Sequence, residues 1–119
     1  MPEPTSITPL DANVSVSPQV RIEDLTQLRA AGSRCIVNNR PDGEAPDQPT
    51  SAELAAEAAR LGLDYRYIPV VPGVVTDSDA LAFAKVLAGA QGPVLAFCRS
   101  GARSTSLWKR ARELQGLRD

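Results

Sequence analysis

The chain has 119 residues, enough for one domain with a real core, and its 43% apolar and 23% charged content is ordinary for a globular protein. A net charge of −1 offers nothing to nucleic acid or to an anionic membrane surface, so neither is expected as a partner. Histidine is absent and cysteine occurs twice, which excludes Cys–His and Ser–His pairs, His-containing metal sites and structural zinc.

No metal or other cofactor is expected. Two cysteines with no apolar leader point to a reducing, cytoplasmic setting, and no stretch approaches the roughly 20 apolar residues of a membrane span. Residues 1–12, with Pro2, Pro4 and Pro9, read as a flexible lead-in, and residues 13–119 as the domain. Val14–Val16 alternates as a short strand. Ile22, Leu25 and Leu28 then share a helical face that ends near Gly32.

Arg34–Asn38 reads as a buried strand running into a loop over 39–49, where Pro41, Asp42 and Gly43 form a turn signal. Thr50 and Glu53 make a capping box for a helix through Leu54, Ala58 and Leu61. A strand over 64–68 leads to a second loop, 69–75. Thr76 caps a third helix whose first turn holds Asp77 and Asp79. Val94–Phe97 is a further strand, and Leu107, Trp108, Ala111 and Leu114 lie along a final helix with Lys109, Arg110 and Arg112 outward. Alternating strands and helices predict one α/β domain with a mainly parallel sheet of about four to five strands. In such sheets ligands bind beyond the carboxyl ends of the strands, where loops 39–49, 69–75 and 98–104 would meet.

That position holds the one stretch with evident chemistry: Cys98, Arg99, Ser100, Gly101, Ala102, Arg103 and Ser104. A strand delivers a cysteine to a small cationic loop, and a helix starts at once. Backbone N–H groups of such a turn and the helix dipole converge on an anion, and the same field favours a thiolate. Cys98, Arg103 and Ser104 are the candidate catalytic residues. Arg99, Ser100, Gly101 and Ala102 are candidates for anion binding. Cys35, in an apolar strand toward the opposite end of the sheet, reads as a core residue out of disulfide reach of Cys98.

The Cys98–Ser104 run resembles the rhodanese sulfurtransferases, whose six-residue loop often reads C-R-x-G-x-R. It also resembles the Cys-dependent tyrosine and dual-specificity phosphatases, which keep five residues between Cys and Arg and a Ser or Thr after the Arg. The wider chain is similar to the phosphatase-like, or sulfur-transferase, domain of bacterial beta-lactamase-hydrolase-like proteins. The similarity lies in Ile36–Glu44, Tyr67–Val70 and Val94–Gly101 and covers roughly residues 13–115.

This resemblance implies a dual-specificity-phosphatase-like fold and draws Arg40 and Asp42 into the substrate-binding set. It implies that the Ser104 hydroxyl bonds to the Cys98 sulfur. A persulfide dioxygenase is implied as a partner, since some relatives resemble fusions with one.

Three departures from the phosphatase pattern favour sulfur over phosphate. Only four residues separate Cys98 from Arg103, loop 69–75 contains no carboxylate to protonate a leaving oxygen, and Phe97 stands where phosphatases commonly carry His. The expected function is therefore sulfane-sulfur transfer through a Cys98 persulfide, from a small anionic donor such as thiosulfate or a low-molecular-weight persulfide to a thiol acceptor. Phosphoester hydrolysis through a Cys98 phosphocysteine is the alternative. A non-catalytic oxyanion-binding module is the third reading.

Overall fold

Residues 6–118 are described in a computed structural model, and along them strands and helices alternate. In chain order they are β1 (Thr8–Pro9), β2 (Val14–Ser17), α1 (Asp24–Ala30), β3 (Cys35–Asn38), α2 (Ser51–Arg60), β4 (Asp64–Tyr67), α3 (Asp77–Gly89), β5 (Val94–Phe97) and α4 (Ala102–Arg118). They form one five-stranded sheet in the order β1-β2-β5-β3-β4, parallel except for β1. The α/β class expected from the sequence is the one observed.

β5 is central because all four of its residues are buried, the mark of a parallel strand covered by helices on both faces. Its side chains alternate between two cores. Val94 and Ala96 join Val14, Val16, Cys35 and Val37 under α3 and α4, where Phe83 and Leu107 are fully buried. Leu95 and Phe97 join Ile36 under α1 and α2, against Leu25, Leu28, Leu54 and Ala58. A one-residue slip of β5 would exchange the two sets, so its register, and hence the place where Cys98 emerges, is fixed by packing.

The helix ends follow the sequence signals. Thr50 and Glu53 form a reciprocal capping box on α2, and Thr76 accepts from the Asp79 N–H at the start of α3. α1 starts at Asp24, later than the Ile22 pattern suggested, because the Asp24 carboxylate accepts the Arg21 N–H and closes a turn first.

The lead-in expected over residues 1–12 is corrected in its described part. Thr8–Pro9 pairs antiparallel with β2, because the Asp11 carboxylate accepts the N–H groups of Asn13 and Val14 and folds the intervening turn. Residues 1–5 lie outside the described residues. Among the described residues, no helix is long and apolar enough to cross a membrane.

Candidate active site

β5 ends at Phe97, and α4 begins at Ala102, directly after the turn. The turn between them requires Gly101, whose φ is 96°, and a side chain there would also touch the Ser17 carbonyl at 3.4 Å. This backbone aims N–H groups inward at the Cys98 sulfur; that of Gly101 lies 3.1 Å from Sγ.

Cys98 is fully buried, and burial alone would raise its pKa. Hydrogen bonds to the sulfur from the N–H groups of Ser104, Gly101, Ser100 and Arg103 outweigh it, and the thiol is held below its ordinary value. The loop is braced from outside as well: the Gln19 N–H donates to the Arg99 carbonyl, and the Thr105 N–H and hydroxyl both donate to the Gly101 carbonyl.

The three loops meet at Arg103. Its Nη1 donates to Glu44 Oε2 at 2.8 Å and to the Val70 carbonyl at 2.9 Å, and its Nη2 donates to Glu44 Oε1 at 2.9 Å. Three of the five guanidinium N–H donors are so occupied, leaving Nε–H and one Nη2–H. The guanidinium also interacts with the Cys98 sulfur, which together with the stronger pairing to Glu44 raises its pKa. Glu44 in turn is held below its ordinary value, chiefly by the hydrogen bond from Arg103, which outweighs the opposing effect of burial, with a smaller contribution from Arg40.

The other candidates are placed as follows. Arg40 is 5% exposed and faces inward, donating from Nε to Glu44 and from Nη1 to Gln19, so it reaches the site through Glu44. The Asp42 carboxylate accepts the Ser51 N–H at the start of α2, while its own N–H donates to the Tyr67 hydroxyl. Arg99, Ser100 and Ala102 are exposed at the loop surface. Ser104 is buried, but its hydroxyl does not take the role that the resemblance implied. Asn39 Nδ2 donates to the Ile68 carbonyl, which leaves Asn39 Oδ1 as an acceptor for the single Ser104 hydroxyl proton at 2.8 Å. Ser104 therefore serves the sulfur with its backbone N–H.

Glu44, Asn39 and Gln19 were not among the candidates. Glu44 and Asn39 lie in the Ile36–Glu44 run that carries part of the family likeness, which is the one signal in the sequence that marks them. Gln19 has no comparable signal.

Loop 69–75 has no carboxylate, Glu44 is shared by two guanidinium groups, and Asp77 forms a paired contact with Arg110. Cys35 pairs in register with Val94, four residues before Cys98, which separates the two thiols by about 13 Å along the sheet. Burial and the charge of Asp64, partly offset by Arg66, push the Cys35 thiol up to about 11. Among the described residues, no group of three or more Cys, Asp or Glu side chains is placed to hold a metal ion.

The family described as beta-lactamase hydrolase-like protein, phosphatase-like domain, matches residues 7–114. The chain belongs to this family.

A beta-lactamase hydrolase-like protein of Agrobacterium fabrum is 36% identical over 107 residues, which is 90% of this chain and 25% of that protein. This phosphatase-like domain thus spans about a quarter of the length of the curated relatives it matches. Among solved structures, a candidate phosphatase of Neisseria meningitidis Z2491 is 34% identical, with a TM-score of 0.81 over 90% of this chain and 78% of that one. TpbA of P. aeruginosa, solved with phosphotyrosine, shares the fold at a TM-score of 0.58 and 16% identity, over 80% of this chain and 54% of its own. The fold of this family member is that of the Cys-dependent phosphatases.

Proposed function

We propose that this domain is a Cys-dependent phosphatase-type enzyme that forms a covalent intermediate on Cys98. The observation that carries the nucleophile is the Gly101 N–H lying 3.1 Å from a fully buried sulfur, in a loop whose backbone N–H groups favour its thiolate. The choice of a phosphoryl group is supported by the family description and by the phosphatase-type neighbours.

In the first step the thiolate attacks phosphorus and the P–O bond to the leaving group breaks, with loop N–H groups and the free donors of Arg103 facing the equatorial oxygens. Water then attacks the phosphocysteine, the S–P bond breaks and the thiolate is regenerated. With no carboxylate in loop 69–75 and Glu44 shared by two arginines, the departing oxygen takes its proton from water. Aryl phosphates, whose leaving groups need little protonation, are therefore the favoured substrates.

Sulfur transfer is the second reading, favoured by that same missing acid. A thiolate leaving a persulfide, or sulfite leaving thiosulfate, needs no general acid. On this reading a small anionic sulfur donor, a thiol acceptor and a persulfide dioxygenase are the partners.

The two readings separate in parallel assays of wild type and Cys98→Ser with an aryl phosphate and with thiosulfate plus a thiol. Phosphate release lost in Cys98→Ser supports the first reading. Thiosulfate-dependent persulfide formation without phosphate release supports the second. Anion binding with neither turnover would leave an oxyanion-binding module.

A further inference from the structure

The ion pairs around Arg103 form a closed circuit. The Gln19 N–H holds the Arg99 carbonyl of the Cys98 loop, and the Gln19 Oε1 accepts from Arg40 Nη1 at 2.9 Å. Arg40 Nε donates to Glu44 Oε1 at 3.0 Å, and Glu44 grips Arg103 with both oxygens, returning to the same loop. The side chains of Arg40, Glu44 and Arg103 are 7%, 21% and 11% exposed, so the circuit is largely shielded from water. A flexible arginine is fixed here in one orientation.

We propose that Glu44 is a positioning residue that turns the free N–H edge of Arg103 toward an oxyanion held over Cys98, with Arg40 fixing Glu44 in turn. This inference rests on the reading of Cys98 as a nucleophile acting on an oxyanion-bearing substrate.

The donor count carries it. Glu44 and Val70 consume both Nη1 protons and one Nη2 proton of Arg103, so the edge that remains, Nε–H and one Nη2–H, is the planar fork that matches two oxygens of one anion. Both Glu44 oxygens accept from guanidinium groups, Oε1 from two at once, and an arrangement with no donor on either atom requires a carboxylate. An amide at this position would turn an N–H₂ toward one set of donors and break the grip. Glu44 does not act as an acid, since both its neighbours favour its ionised form.

The test compares wild type, Glu44→Gln and Arg40→Lys by two readouts. One is the concentration of inorganic phosphate or thiosulfate that half-protects Cys98 from iodoacetamide. The other is the pH midpoint of alkylation without anion. Misaiming Arg103 should raise the half-protecting concentration about tenfold in Glu44→Gln, since small misplacements in such sites are costly. Arg40→Lys, which keeps the charge but loses the fork, should show a smaller rise in the same direction. The alkylation midpoint should move by less than about half a unit, because backbone N–H groups set it.

Protection unchanged in both variants would overturn the positioning role while leaving the nucleophile reading intact. Protection and midpoint collapsing together in both variants would also overturn it, making the circuit scaffold alone. Wild type that neither anion protects would overturn the oxyanion reading itself, and this inference with it.

Discussion

At the scale of single residues, the chain sets two thiols in opposite states. Cys35 packs in an apolar core beside the Asp64 charge and is pushed up to about 11, so it is protonated and inert at neutral pH. Cys98 is equally buried, yet backbone N–H groups of its loop hold it below its ordinary value. Differential alkylation followed by peptide mapping should therefore modify Cys98 at neutral pH and Cys35 only after unfolding. The rate at Cys98 should rise with pH to a midpoint below about 8.5. A midpoint at or above that value, or equal labelling of both thiols, would remove the electrostatic basis of the site. The same scale shows why sequence reasoning misjudged Ser104. Its hydroxyl is committed by the orientation of the Asn39 amide, which the Ile68 carbonyl fixes from a distant strand end. That three-residue arrangement has no local pattern.

At the scale of elements, the strand–loop–helix unit depends on one backbone conformation. Gly101 sits at φ 96°, and a Cβ there would stand 3.4 Å from the Ser17 carbonyl. Gly101→Ala should cost about 1–3 kcal/mol through backbone strain, lowering the melting temperature by several degrees. Because the Gly101 N–H is one of the groups on the sulfur, the Cys98 alkylation midpoint should rise in the same variant. An unchanged midpoint with a lowered melting temperature would separate the turn from the thiolate. Elements were the most legible level of the sequence. The capping box at Thr50, the Thr76 cap and the buried β5 run are short-range signals, and each is found where it was expected. β1 escaped because its pairing depends on a turn closed by Asp11, in a stretch whose prolines suggested fraying.

At the scale of the whole molecule, parallel topology brings loops from three strand ends to one place, and the Glu44–Arg103 pair ties them. The family, the fold and the place of Cys98 beyond the carboxyl end of a buried strand were readable from the sequence. The charge circuit was not, because Gln19, Arg40, Glu44 and Arg103 come from three separate connections and only the closed fold makes them neighbours.

Glu44 has a depressed pKa in the folded state, so the stability it contributes is present above the unfolded carboxylate value of about 4.3 and is lost as pH falls through its folded value. Melting temperatures measured across that acid range should fall for wild type, and fall less for Glu44→Gln. Parallel curves for the two proteins would mean that the pair contributes no pH-dependent stability.

Phosphoester hydrolysis and sulfur transfer share one requirement, a covalent Cys98 adduct. Acid-quenched intact-protein mass spectrometry during turnover, followed by peptide mapping, measures that requirement directly. With an aryl phosphate, an added mass of one phosphoryl group is expected on Cys98 and is absent from Cys98→Ser; one added sulfur from thiosulfate would instead identify the sulfur-transfer form of the same nucleophile. Turnover that persists in Cys98→Ser, or that proceeds with no adduct on Cys98, would contradict the account.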